Sequence, residues 1–254
     1  MAAPLASGIS ICGVSAAIAT GAAIRARPIV PIMVSSLVVL FAVVELLLLP
    51  FVAQHFLSHE PLVAGAWMGL AVKTDGAAMA SGTITDSLIR ARALAEGGVQ
   101  YQEGWMTMTA TTVKVFIDMF IGVWSFILAL IWSSKIDNRT SEKVRAIEIW
   151  DRFPKFVLGY ALTFVVMLVL CLNAPVRVAA AKSVTAGTDI LRVLFFVLSF
   201  FSIGVVSDFR KLREEGIGRL TAVYLICLFG FIIWIGLLIS WLFFHGVKPP
   251  LATG

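Results

Sequence analysis

Residues 221–244 read TAVYLICLFGFIIWIGLLISWLFF, an uninterrupted run without one charged side chain. Roughly 20 apolar residues, rising about 1.5 Å each, cross the hydrocarbon of a bilayer. The stretch therefore predicts a transmembrane helix over 220–244. Working outward with the same ruler, segments 29–53, 105–132 and 154–173 are equally rich in Leu, Ile, Val, Phe and Trp. Three further segments, 5–24, 62–82 and 188–207, are apolar but interrupted by Gly, Ser and Thr. Of the 254 residues, 59% are hydrophobic and 14% charged, with a mean hydropathy of +0.96. Soluble domains carry about 25% charged residues, so a soluble enzyme is excluded. Cys12, Cys171 and Cys227 lie far apart in apolar sequence, which excludes a secreted disulfide scaffold. The chain reads as an all-α polytopic membrane protein of about seven segments, with the lipid bilayer as its solvent. No basic region follows Met1, so no cleavable signal peptide is expected.

The net charge of +5 is not read as a nucleic-acid footprint, because in a membrane protein excess Lys and Arg sit in the loops and set topology. The loop after segment 105–132 (Lys135, Arg139, Lys143, Arg145, Arg152, Lys155) and the loop before the last segment (Arg210, Lys211, Arg213, Arg219) share one side, which is expected to be cytoplasmic. On the opposite side, SLIRARALAE within 83–104 has helix-forming composition and is followed by Gly97-Gly98. It predicts a short amphipathic surface helix.

The small-residue segments admit two readings. Gly and Ser allow helices to pack closely; they also mark discontinuous helices whose freed backbone groups line a cavity. Segment 62–82, LVAGAWMGLAVKTDGAAMASG, favours the second, because Lys73 and Asp75 lie near its centre. Charges at membrane depth cost about 2.5–3.5 kcal/mol on insertion scales and normally face partners or water. Lys114 and Asp118, four apart, share a helix face and can pair there. Lys73 and Asp75, two apart, point in different directions on a helix and can instead pair across helices with Asp118 and Lys114, a set of zero net charge suited to an anion or proton pathway. Glu45, in VVELLLLP, is expected to snorkel to the interface.

No Walker A motif, CxxC or nucleophile elbow is present, so the chain is read as no enzyme and as needing no cofactor. His55 and His59, with Glu60, are expected to be solvated side chains rather than metal ligands.

Five blocks carry a family resemblance: ISICGVSAAIATGAAIRA (9–26), VAGAWMGLAVKTDGAAMASG (63–82), TATTVKVFIDMFIGVW (109–124), RFPKFVLGY (152–160) and SFFSIGVVSDFRKLREEGIGR (199–219). In this order they resemble the YeiH family, bacterial multi-pass inner-membrane proteins to which sulfate export is ascribed. The resemblance departs at Lys73, where the family usually has an acidic residue or histidine, so substrate or coupling ion can differ. It implies a fold of inverted five-helix repeats with broken crossing helices. On that plan the chain corresponds to helices four to ten, three N-terminal helices short. Residues 1–53 would end the first repeat, 54–254 would form the second, and segments 5–24 and 188–207 would be the broken symmetry mates.

The resemblance thus implies a secondary transporter of a small inorganic or sulfonate-like anion, with a proton or sodium ion as coupling partner and a homo-oligomer as an option. The substrate site would comprise Ser10, Cys12, Gly13 and Ser15 of the first break, facing Ser202, Gly204 and Ser207 of the second. Lys73, Thr74 and Asp75 would line the wall, and Lys114 and Asp118 would couple charge. The rival reading is a truncated, non-transporting scaffold or subunit that needs a partner for the missing helices.

Overall fold

The computed structural model describes residues 1–132, 156–172 and 217–252, with short helical stretches between 177 and 201. Among the described residues the regular structure is helical throughout: α1 (Ala2–Ser10), α2 (Gly13–Ala23), α3 (Ile29–Phe56), α4 (Pro61–Ala71), α5 (Asp75–Gly97), α6 (Trp105–Asp118), α7 (Phe120–Ile131), α8 (Phe156–Leu172), α9 (Ile217–Cys227) and α10 (Ile233–Phe244). Helices α6 and α7 run on through Met119, and α9 and α10 through a π-helical turn at Leu228–Ile232. Among the described residues three spans, Ile29–Phe56, Trp105–Ile131 and Gly218–Phe244, are long and apolar enough to cross a membrane. The protein is an all-α membrane protein.

Its polarity is inverted relative to a soluble fold. Large apolar side chains such as Leu47, Phe51, Phe116, Phe120, Leu238 and Leu242 point outward, while Glu45, Lys73 and Lys114 are buried. Water would penalise the first set and stabilise the second; hydrocarbon reverses both preferences.

Glycine fixes how closely the inner helices approach. Gly65 and Gly69 lie one turn apart on α4, and a Cβ on Gly65 would stand 2.6 Å from the Met106 carbonyl oxygen. A Cβ on Gly69 would drive into the Ala110 carbonyl of the same helix. The close-packing reading of the small residues therefore holds for this face of α4. On its other side the Trp67 indole donates to the Ile233 carbonyl at 2.9 Å, where the π-helical turn meets α10.

Segment 83–104 departs from expectation. Instead of a separate surface helix, α5 runs unbroken from Asp75 to Gly97. Thr74 caps its start and Gly98, at φ 62°, ends it in the left-handed conformation. No helix breaker intervenes, so the SLIRARALAE stretch continues the second half of segment 62–82. Asp86 then starts the next helix: its carboxylate accepts from Gly104 N at 3.2 Å and Met106 N at 3.1 Å.

Candidate functional site

Two helix breaks meet in the interior. The first lies between α1 and α2 at Ile11 and Cys12, with Cys12 extended at φ −124°, ψ 94°. The second lies between α4 and α5, where Val72 and Thr74 are extended and the Thr74 hydroxyl accepts from Ala77 N at 3.4 Å. A broken helix leaves carbonyls unpaired at one end and N–H groups at the other, and apolar surroundings offer no water to satisfy them.

Lys114 from α6 answers both sets of carbonyls at once. Its Nζ donates to the Ile11 carbonyl at 3.3 Å and to the Val72 carbonyl at 3.4 Å. One cation therefore sits at the C-terminal ends of α1 and α4, where the helix dipoles favour positive charge. The Lys73 amine folds back on the Leu70 carbonyl, and its backbone N–H donates to Glu45 Oε2 at 3.2 Å. Across the crossing, the Cys12 thiol donates to Asp75 Oδ1 at 3.1 Å. The breaks touch because residue 13 is glycine: a Cβ there would lie 2.8 Å from the Lys73 carbonyl oxygen and run into Val38.

Of the residues named from sequence, Cys12, Gly13, Lys73, Thr74, Asp75, Lys114 and Asp118 converge on this crossing. Ser10 ends α1 and is exposed, and Ser15 in the first turn of α2 is half-buried. Ser202, Gly204 and Ser207 fall outside the described residues. The segment that crosses the first break here is 62–82.

Two expectations are corrected. Lys114 is engaged by the carbonyls of the two breaks rather than simply paired along its own helix with Asp118, because the broken backbone supplies acceptors that periodicity alone does not reveal. Glu45 does not snorkel; it is fully buried. Helix α3 extends to Phe56, and Glu45 shares the buried face with Val38, Ala42 and Leu49. That spacing of three and four was the available signal. Adding Glu45 changes the charge of the cluster. Three carboxylates, Glu45, Asp75 and Asp118, now stand against Lys73 and Lys114, a formal excess of one negative charge.

Cys12 Sγ and the carboxylate oxygens of Asp75 and Asp118 lie within 4.8 Å of one another, a thiol and two carboxylates able to close on a cation. Lys114 acts electrostatically on both Cys12 and Asp118. The arrangement offers fixed cations, carboxylates and backbone dipoles around one point, which is the equipment for binding a small ion and for exchanging protons.

Residues 1–236 match the family described as Conserved hypothetical protein 698. The chain belongs to this family. It is the UPF0324 family, which includes YeiH, so the resemblance carried by the sequence blocks holds. A UPF0324 membrane protein of Nitrosomonas europaea is 46% identical over 98% of this chain, which covers 51% of that relative. A UPF0324 membrane protein of Nitratidesulfovibrio vulgaris is 30% identical over 98% of the chain and is covered to 41%. An uncharacterized protein of Archaeoglobus fulgidus is 51% identical over 57% of the chain and is covered to 88%. The chain spans about half or less of the length of the UPF0324 relatives it matches here. No solved structure matches it.

Proposed function

We propose that this membrane protein belongs to a secondary transporter of a small inorganic or sulfonate-like anion, resident in the bacterial inner membrane, with the crossing of the two helix breaks as its ion site. The observation that carries the reading is the Lys114 amine held by carbonyls of both breaks, at 3.3 and 3.4 Å. A scaffold that only needs to fill space gains nothing from two interrupted helices and a buried amine. A transporter does, because backbone groups released by the breaks can exchange partners as ions enter and leave. Helices α2 and α5 both begin at this point, and the N–H groups and positive dipole end of a helix N-terminus favour an anion. Lys114 supplies a fixed positive charge beside them.

The test is uptake of labelled sulfate and sulfite by liposomes containing the full chain, with and without a proton gradient. Saturable uptake is expected, and Lys114→Met should abolish it when uptake is scored per inserted, monodisperse molecule. Absence of uptake of either anion by the wild-type chain overturns the transport reading of these residues.

A further inference from the structure

Glu45 is fully buried, yet only one of its oxygens has a partner. Oε2 accepts the Lys73 N–H at 3.2 Å, whereas Oε1 is buried with no hydrogen-bond partner among the described residues. The hydroxyl of Tyr224 on α9 is likewise buried without a partner among them. The two belong to one neighbourhood: the Tyr224 ring stacks on Phe41, one turn before Glu45, at a centroid distance of 5.3 Å, and the hydroxyl lies within electrostatic reach of the carboxylate. Buried polar atoms in native structures are nearly all satisfied, so a buried carboxylate oxygen without a partner asks for a missing occupant. A carboxylate oxygen needs a positive or hydrogen-bearing one.

We propose that Glu45 is a proton-binding site of the protein, holding the proton on Oε1 and releasing it from the carboxyl when the ion site changes state. The reaction is a plain protonation: the O–H bond forms from a lone pair of Oε1 and an aqueous proton, and breaks in reverse. The proton cancels the cluster's formal excess of one negative charge, which a low-dielectric interior disfavours. It also gives Oε1 a hydrogen, so that the atom is no longer a bare buried acceptor. The groups facing Glu45 are Lys73 from the second break, Lys114 from α6 and Tyr224 from α9. Cys12, from the α1–α2 break, turns its thiol to Asp75 instead.

The position links the proton to the ion site. Glu45 Oε2 holds the N–H of Lys73, one residue from the Val72 carbonyl that binds Lys114. A carboxylate accepts that N–H more strongly than a carboxylic acid does, so proton uptake loosens the second break and release tightens it. This coupling role deepens the transport reading and rests on it; the proton site itself does not.

The test is infrared difference spectroscopy of the full chain in detergent across a pH titration, read at the C=O stretch of a protonated, buried carboxylic acid. The wild type should show a titrating band that Glu45→Gln removes, that Asp118→Asn keeps and that Tyr224→Phe shifts. Glu45→Asp, which keeps the acid should the glutamine variant misfold, should retain a displaced band. A band that survives Glu45→Gln, or a wild type with no titrating band, overturns the proposal. Replacing choline chloride with sodium chloride should leave the band unchanged; sodium-dependent loss would assign the place to sodium and overturn it equally. In liposomes, Glu45→Gln should lose stimulation of uptake by a proton gradient. If the band titrates as expected but the wild type moves no anion, the transport reading fails and the proton site stands.

Discussion

Cys12 and Asp75, 63 positions apart in sequence, are joined directly, the thiol donating to Oδ1 at 3.1 Å. The contact fixes which helix crosses the first break, and cysteine chemistry can read it. With Cys171 and Cys227 replaced by alanine, Asp75→Cys should form a disulfide with native Cys12 under mild oxidation. Disulfides require Cα atoms about 4.4–6.8 Å apart. Asp86→Cys, eleven residues further along α5 and so about 16 Å away along its axis, should not cross-link. Non-reducing electrophoresis with mass spectrometry of the linked peptide checks both. Gly204→Cys in the same background would test whether segment 188–207 also approaches the first break, as the family plan implies.

Sequence made the membrane class plain because hydrocarbon thickness sets a length that charge-free runs either meet or miss. The first break was legible only through the family resemblance that the SICGVSA block carries, since Gly and Ser by themselves suit close packing as well as a break. The partners of the buried charges were harder to see. Lys114 and Asp118 satisfy the one-turn pairing rule, and nothing local announces that carbonyls from residues 11 and 72 will lie nearer to the amine. Glu45 was hidden by an end effect: ending its helix at 53 puts it near an interface, whereas the three further residues to Phe56 draw it inward. Tertiary proximity, not propensity, decided each of these.

The approach of α4 to α6 should fail on adding a single methyl group. Gly69→Ala places a Cβ against the Ala110 carbonyl, and backbone cannot swing aside as a long side chain can. Overpacking of this kind costs typically 1–3 kcal/mol, outweighing the gain of about 1 kcal/mol in helix propensity. Gly230→Ala meets nothing within 4 Å and should be neutral or mildly stabilising. Unfolding midpoints in a mixed-detergent titration should fall for the first variant and hold or rise for the second.

Asp86 should act as a structural acid outside the proposed ion site. Its two oxygens receive backbone N–H groups of Gly104 and Met106, and Arg90 lies 3.5 Å from Oδ2. Asp86→Ala removes both acceptors at the start of α6 and should destabilise the protein by about 1–3 kcal/mol. Asp86→Asn, which keeps one acceptor, should cost less. Anion uptake per folded molecule should be unchanged in the asparagine variant. A selective loss of uptake there, with stability intact, would place Asp86 in the proposed transport path.

The partner of Lys73 is decidable by a double-mutant cycle. Sequence offers Asp118, but the folded chain brings Glu45 to the Lys73 backbone, and its charge acts on the amine. Breaking a buried pair from one side typically costs about 3–5 kcal/mol, because the remaining charge is uncompensated. Lys73→Met should therefore be strongly destabilising, and adding Glu45→Gln should recover most of the loss. Adding Asp118→Asn instead should recover little, since contacting residues couple by about 0.5–3 kcal/mol and more remote ones nearly add. The cycle carries its own pH signature. When Glu45 holds a proton no charge is orphaned, so the cost of Lys73→Met should be smaller in acid and grow as the pH rises. Equal rescue by Asp118→Asn would return Lys73 to the pairing that sequence alone suggests. A cost of Lys73→Met independent of pH would mean that Glu45 does not change its protonation state over the range measured.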